Sequence, residues 1–378
     1  MKINITSFGY FGVYLAKELY KQNCLNSLYT NLPKRYVQDI NLSKVTSNPI
    51  SAVPYMFSKL QLYKLADLSN YPAILSFDNW VSKKLTKCDI FHSFSSFATK
   101  SHKIAKNNFN AITIVERGSS HINLQNTLLK EEYAIWNLPY KEINNNIIDR
   151  ELEEYTICDF ITVQSSFAEN TFIKMGIPKN KIIKMPLGVN TDLFRKYKKK
   201  DDIFRVLYAG TMSIRKGSLY LLEAISKLNL PNFEFVFNGH ISPELKPFIG
   251  KYESKITFLG SRPFNELAEL YSQASVFVLP TIEDGFAKVI TEAMACGVPV
   301  IATTNCSGPD VITDAIDGFV IPIRNVDIII EKILILYEDK NLQEQMSYNA
   351  ESKAKISLSY NTYGNRVYNK YLTLYNNI

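Results

Sequence analysis

The chain has 378 residues, of which 46% are hydrophobic and 21% charged; this is long enough for two domains with full cores and too apolar for intrinsic disorder. Its 5 Cys and 4 His are scattered, with no C-x-x-C and no ligand spacing, so neither a disulfide framework nor a zinc site is indicated and a reducing cytosol is expected. The net charge of +7 belongs to the first third, since residues 1–110 hold 14 Lys/Arg against 5 Asp/Glu, a local excess of +9.

That excess, interleaved with Tyr, Phe and Trp80, suits an anionic membrane surface or a pyrophosphate-linked lipid, each basic residue near such a surface contributing ~1 kcal/mol. Plain solvation of lysine-rich helices is the other reading of the same residues. The apolar stretch of the first 15 residues is broken by Asn4, Thr6 and Ser7 and no A-x-A site follows, so it is not read as a signal peptide. No uncharged apolar run reaches the ~18 residues of a membrane helix. The expected location is cytoplasmic, with membrane contact at the cytoplasmic face, and no nucleic-acid partner is expected.

Apolar runs and helical periodicity alternate along the first half: Ile3 to Ser7 as a strand, Val13 to Tyr20 as a helix, Ile90 to Phe94 and Ala111 to Val115 as strands. That alternation predicts a doubly wound α/β sheet. Between the first strand and helix lies the glycine turn Gly9-Tyr-Phe-Gly12, which lacks the G-x-G-x-x-G of a dinucleotide site. Ile161 to Ser165 reads as a further strand and Ser166 to Met175 as a helix, with Ser166 and Glu169 at capping-box spacing. The basic run Arg195 to Asp202 is a linker. A second alternation follows: strands at Phe204 to Ala209, Phe233 to Asn238, Ile256 to Leu259, Val276 to Leu279 and Val298 to Thr303, with helices at Leu219 to Leu228, Phe264 to Gln273 and 286–296.

Two segments of this second half carry chemistry. After Ala209, Gly210 to Gly217 is a glycine turn bearing Arg215 and Lys216 before an amphipathic helix; amides, helix dipole and side-chain cations there meet one anion, which suits a diphosphate. After Leu279, the Asp284-Gly285-Phe286-Ala287 turn leads into a helix whose Glu292 would turn a carboxylate toward a ribose diol. Taken alone, Asp284 also reads as an N-cap and Glu292 as a helix-surface acid.

From Asp284 to Glu292, continuing Glu292-Ala-Met-Ala-Cys-Gly-Val-Pro-Val-Ile-Ala-Thr303, the chain resembles the E-x7-E signature of the family 4 retaining glycosyltransferases. The chain departs from the pattern at its first acid, which is Asp284 with Glu283 beside it, and at Ala287, where the family has glycine. The segment Gly210 to Gly217 resembles the family's phosphate-binding R-K-G turn, with Thr211 in place of a common arginine and Arg215 as its substitute. The segments around 182–194 and 356–372 resemble the end of the family's first domain and its closing helix.

The resemblance implies a GT-B fold: two Rossmann-like doubly wound parallel-sheet domains facing a cleft. Residues 1–190 would bind the acceptor, 191–355 the nucleotide sugar, and 356–378 would cross back. It implies transfer of a hexose from a nucleoside-diphosphate sugar to a glycan or lipid-linked acceptor in surface-glycan assembly, with no cofactor and no metal. Lys216 and Asp284 become catalytic candidates, and Arg215, Gly285, Phe286, Ala287, Glu292 and Glu283 line the donor site. Gly9 and Gly12 face donor and acceptor. Strand counting puts Glu116 at the family's sugar-contacting histidine; His121, five residues on, is either turned back into the cleft as a catalytic group or a loop histidine, with Arg117 and Ser119 beside it. A scaffold of the same fold that binds the nucleotide sugar without turnover is the alternative, motivated by Asp284, Thr211 and Ala287.

Overall fold

The computed structural model describes residues 1–60 and 62–377. The strands form two wholly parallel sheets, whose inner strands are buried on both faces because crossover helices cover them. The first sheet comprises β1 (Ile3–Ser7), β2 (Leu25–Thr30), β3 (Val45–Ser47), β4 (Ile90–Phe94), β5 (Ile112–Arg117), β6 (Phe160–Val163) and β7 (Ile182–Lys184), in the order β3-β2-β1-β4-β5-β6-β7. The second comprises β8 (Phe204–Ala209), β9 (Phe233–Asn238), β10 (Thr257–Phe258), β11 (Val276–Leu279), β12 (Val300–Thr303) and β13 (Gly318–Ile321), in the order β10-β9-β8-β11-β12-β13. Each order reverses next to its first strand, between β1 and β4 and between β8 and β11. Those are the switch points where a crevice opens outside the carboxyl ends of the strands.

The last helix, Tyr360–Asn376, returns to the first sheet and gives Tyr363, Val367 and Tyr371 to its core. Tyr371 Oη lies 2.6 Å from His92 Nδ1. The helix starting at Ser166 is capped one residue earlier than its sequence spacing indicates: Ser165 Oγ accepts from Ala168 N at 3.2 Å. Ser166 instead donates its N–H and Oγ–H to Asp310 of the second domain at 2.8 and 2.6 Å, and Lys184 Nζ donates to the same carboxylate at 2.8 Å. Asp310, a plain helix cap by its sequence context, therefore ties the two domains. Among the described residues no helix is long and apolar enough to cross a membrane, and the five cysteines are free and buried.

Candidate functional site

The glycine turn after β8 is shaped by contacts that only glycine permits. Gly217 has φ +63°, and a Cβ there would stand 1.9 Å from Pro280 O, so the turn lies directly against the segment that follows β11. Ile282 N and Thr281 Oγ1 both donate to Arg215 O, at 2.9 and 3.2 Å. The two loops thus form one unit at the switch point, with Arg215 and Lys216 projecting beside residues 283–287. Lys216 Nζ pairs with Asp284, and Arg215 Nε pairs with Glu283 Oε2 at 2.7 Å.

The neighbouring acids face opposite ways. Glu283 is fully buried and turned to the first domain. It accepts from Ser119 Oγ at 2.8 Å, Ser120 N at 2.9 Å, Ser120 Oγ at 2.7 Å and Gln125 Nε2 at 3.0 Å. Burial alone would raise its pKa, but Arg215 and the donors from Ser120 and Ser119 hold it at about 2. Beside it, the backbone of Gly285 touches that of the first domain: an added Cβ would lie 2.3 Å from Gly118 O and 2.6 Å from Ser119 Cα. Asp284 lines a cavity instead.

That cavity, about 670 Å³, lies between the sheets. Its first-domain wall includes Ser95, Phe97, Glu116, Arg117 and Ser119, and its second-domain wall Thr211, Arg215, Lys216, Asp284, Phe286, Ala287 and Lys288. Glu292 is not part of the wall; it sits one helical turn behind Lys288 in the helix Lys288–Ala295. Tyr271 Oη donates to Glu292 Oε2 at 3.2 Å. Burial raises the Glu292 carboxyl to about 7, the Tyr271 hydrogen bond and Lys288 offsetting only part of the effect.

Besides Glu283, Gly285 and Glu292, which are off the cavity wall, three more residues stand elsewhere than the resemblance implies. His121 is buried outside the cavity wall: it is the N-cap of the helix Ile122–Ile135, its Nδ1 accepts from Asn123 N at 3.3 Å, and its ring packs edge-on to Phe172. Burial, reinforced by Arg117, lowers its pKa to about 4, so it serves there as a neutral cap. The Gly-Ser-Ser turn before it is spent on Glu283 and does not bring the ring back to the cleft. Glu116 does reach the cavity, holding Gln164 Nε2 at 2.6 Å. Neither Gly9 nor Gly12 is on the wall: Gly9 N donates to Asn31 Oδ1 at 2.7 Å, and a Cβ on Gly12 would meet Phe94, a wall residue, at 2.7 Å. Arg117 lines the cavity, but its guanidinium is taken by Glu151 at 2.8 Å, Gln125 Oε1 at 2.6 Å and Ser120 O at 3.2 Å. The sequence reading missed Lys288, Tyr14 and Tyr360, all wall residues; the i, i+4 spacing of Lys288 to Glu292 was the signal for the first.

With its two facing parallel sheets, the chain has the GT-B fold. The sucrose-phosphate synthase of Thermosynechococcus elongatus superposes with a TM-score of 0.74 at 17% identity, covering 100% of both chains. A UDP complex of Anabaena HepE gives 0.69 at 15% identity over 99% of this chain and 100% of that one. Residues 189–353 match the family model of glycosyl transferases group 1. The chain is 30% identical over 215 residues to the O-antigen chain mannosyltransferase B of Escherichia coli, covering 52% of this chain and 56% of that protein. It is 28% identical over 236 residues to the N,N'-diacetylbacillosaminyl-diphospho-undecaprenol alpha-1,3-N-acetylgalactosaminyltransferase of Campylobacter jejuni, covering 58% and 60%. The chain thus spans little more than half the length of these curated relatives.

Proposed function

We propose that the protein is a retaining glycosyltransferase that moves a hexose from a nucleoside-diphosphate sugar to a glycan or lipid-linked glycan acceptor in polysaccharide or surface-glycan assembly. The observation that carries this reading is the second-domain wall of the cavity: Arg215 and Lys216 on a glycine turn, facing the start of a helix that holds Glu292 one turn in. A diphosphate meets cations and free amides there, and Glu292, one turn behind the wall, is the proposed partner of its ribose. Cleaving the glycosyl bond puts negative charge on the diphosphate, and each well-placed donor stabilises such charge by ~2.7 to 4 kcal/mol. Lys216 supplies one by exchanging Asp284 for phosphate, which releases Asp284 to accept from sugar hydroxyls. In this reading side chains and amides, not a metal, carry the leaving-group charge, and retention follows from the family resemblance. The relatives named for mannosyl and N-acetylgalactosaminyl transfer support the substrate class.

Thermal shift against UDP, GDP, ADP and CDP tests the donor site: the matching nucleotide at about 100 times its Kd adds ~2.7 kcal/mol. No shift with any of the four would sink the reading. A shift without hydrolysis of any nucleotide sugar would select the scaffold instead.

The partner surface is part of the same proposal. Tyr55, Met56, Leu65 and Leu68 are exposed on the helices Val53–Lys59 and Tyr63–Lys84, and Leu60 is exposed just after the first of them, with Lys59 and Lys64 among them and Asn70 and Ile74 on the cavity wall. An apolar patch with basic residues fits an anionic leaflet at the cytoplasmic face and would bring a lipid-linked acceptor to the cavity mouth. Lys83 and Lys84 sit at the other end of the 22-residue helix, about 30 Å from its start, outside this patch.

A further inference from the structure

Four cations line the cavity: Arg117, Arg215, Lys216 and Lys288. Glu151 holds the first, Glu283 the second and Asp284 the third. Among the described residues Lys288 alone of the four has no carboxylate or other hydrogen-bond acceptor; its Nζ rests 4.2 Å from the centroid of the Tyr14 ring. Burial lowers its pKa, with Glu292 and Glu116 opposing, which marks an ammonium short of partners. Thr211, on the same turn as Arg215 and Lys216, offers the cavity no charge of its own.

We propose that Lys288 is the third cation of the donor site and receives the phosphate nearest the ribose. The proposal rests on the nucleotide-sugar reading above. Lys288 and Glu292 are four apart on one helix, so they share a face and are separated by about 6 Å along its axis, just over one turn. A ribose held by Glu292 therefore directs its 5′-phosphate toward the helix start, where Lys288 stands. A phosphate is a stronger partner for an ammonium than an aromatic face, because the bond is charge-assisted and directional. The ammonium leaves the Tyr14 ring as the phosphate enters. Tyr14 belongs to the first domain and Lys288 to the second, so the exchange also trades a contact between the domains for one to the ligand.

The test uses whichever of UDP, GDP, ADP and CDP stabilises the wild-type protein, with its monophosphate and nucleoside, in calorimetry on wild type, Lys288→Met and Lys288→Arg. Lys288→Met should weaken both phosphorylated forms about 10- to 100-fold and leave the nucleoside unchanged, and Lys288→Arg should recover most of the loss. Wild-type affinity for the monophosphate in Lys288→Met overturns the proposal. So does an equal loss for the nucleoside, which would mean damage to the ribose site or the fold. A loss confined to a uronate nucleotide sugar such as UDP-glucuronate would assign Lys288 to a sugar carboxylate instead. If no nucleotide binds the wild-type protein, the donor-site reading falls first and this one with it.

Discussion

Replacing Glu283 with glutamine should undock the two domains. The carboxylate accepts four hydrogen bonds from Ser119, Ser120 and Gln125 of the first domain while pairing with Arg215 of the second. An amide there turns two donors toward donors and leaves Arg215 half-buried without its charge partner; breaking a buried pair from one side costs about 3 to 5 kcal/mol. Titration gives an independent magnitude. The folded pKa is about 2 against an ordinary 4.5, and at about 1.36 kcal/mol per unit the ionised form contributes ~3 kcal/mol. The sign follows from the depression: this contribution is fully present above pH 4.5 and is lost as pH falls toward 2. Of the 2 Trp in the chain, Trp136 packs 5.3 Å from the second domain's Tyr220, so its fluorescence reports undocking. In urea titrations at pH 7, 5, 4 and 3, the gap between wild type and Glu283→Gln should be about 3 kcal/mol at pH 7 and close below pH 4.5. A gap constant across this range would refute the assignment of the charge to the domain contact.

The Glu292 carboxyl, raised from an ordinary 4.5 to about 7, takes stability from the unliganded protein as pH rises from 4.5 to 7, and that loss is fully present above pH 7. Glu292→Gln should therefore raise the unliganded Tm at pH 8 while weakening ribonucleotide binding by ~1.5 to 3 kcal/mol; calorimetry showing unchanged affinity would reject the ribose contact. Lys216→Ala should lower turnover ~10²-fold with the fold intact, as read by acceptor-free hydrolysis of the nucleotide sugar and circular dichroism. Asp284→Asn should lower turnover more than Glu283→Gln when both are compared at equal folded fraction, and the reverse order would place the acid one residue earlier. Leu60→Asp with Leu68→Asp should abolish flotation with anionic vesicles at low salt, whereas charge reversal at Lys83, Lys84 and Lys87 should not; the opposite result would move the contact to the far end of the helix.

Elements with strong local signals were legible. The runs Ile3 to Ser7, Ile90 to Phe94, Phe204 to Ala209 and Val276 to Leu279 coincide with β1, β4, β8 and β11; the signal is clearest in β8 and β11, buried strands that are almost wholly apolar. These four border the switch points, so the place of the cavity could be read from them. β2 and β3 could not: Leu25-Asn-Ser-Leu-Tyr-Thr30 and Val45-Thr-Ser47 are short, carry polar residues and lie on the outer side of the first sheet. β13, the edge strand Gly318–Ile321, was hidden inside a glycine-containing motif. His121 was misplaced for a tertiary reason. The turn preceding it is spent on Glu283, 162 residues away in the chain, and no local pattern records that pairing.

Two adjacent carboxylates divide the work of the site. At the level of sequence Glu283 and Asp284 compete for one position in a motif, separated only by an eight-residue count. In the fold they are reached by the adjacent cations of one turn, Arg215 to Glu283 and Lys216 to Asp284, but with opposite exposure. Glu283 is sealed against Ser119 and Ser120, so its pair with Arg215 fixes the turn to the opposite domain. Asp284 is on the cavity wall, so its pair with Lys216 can open to a ligand. In the proposed donor complex a phosphate would take Lys216 and leave Glu283, with its contact between the domains, untouched. Gly285, whose backbone touches Gly118, keeps that division in place: a side chain there would push the loops apart, and a displacement of about 1 Å is enough to cost ~10²-fold in a reaction that depends on alignment.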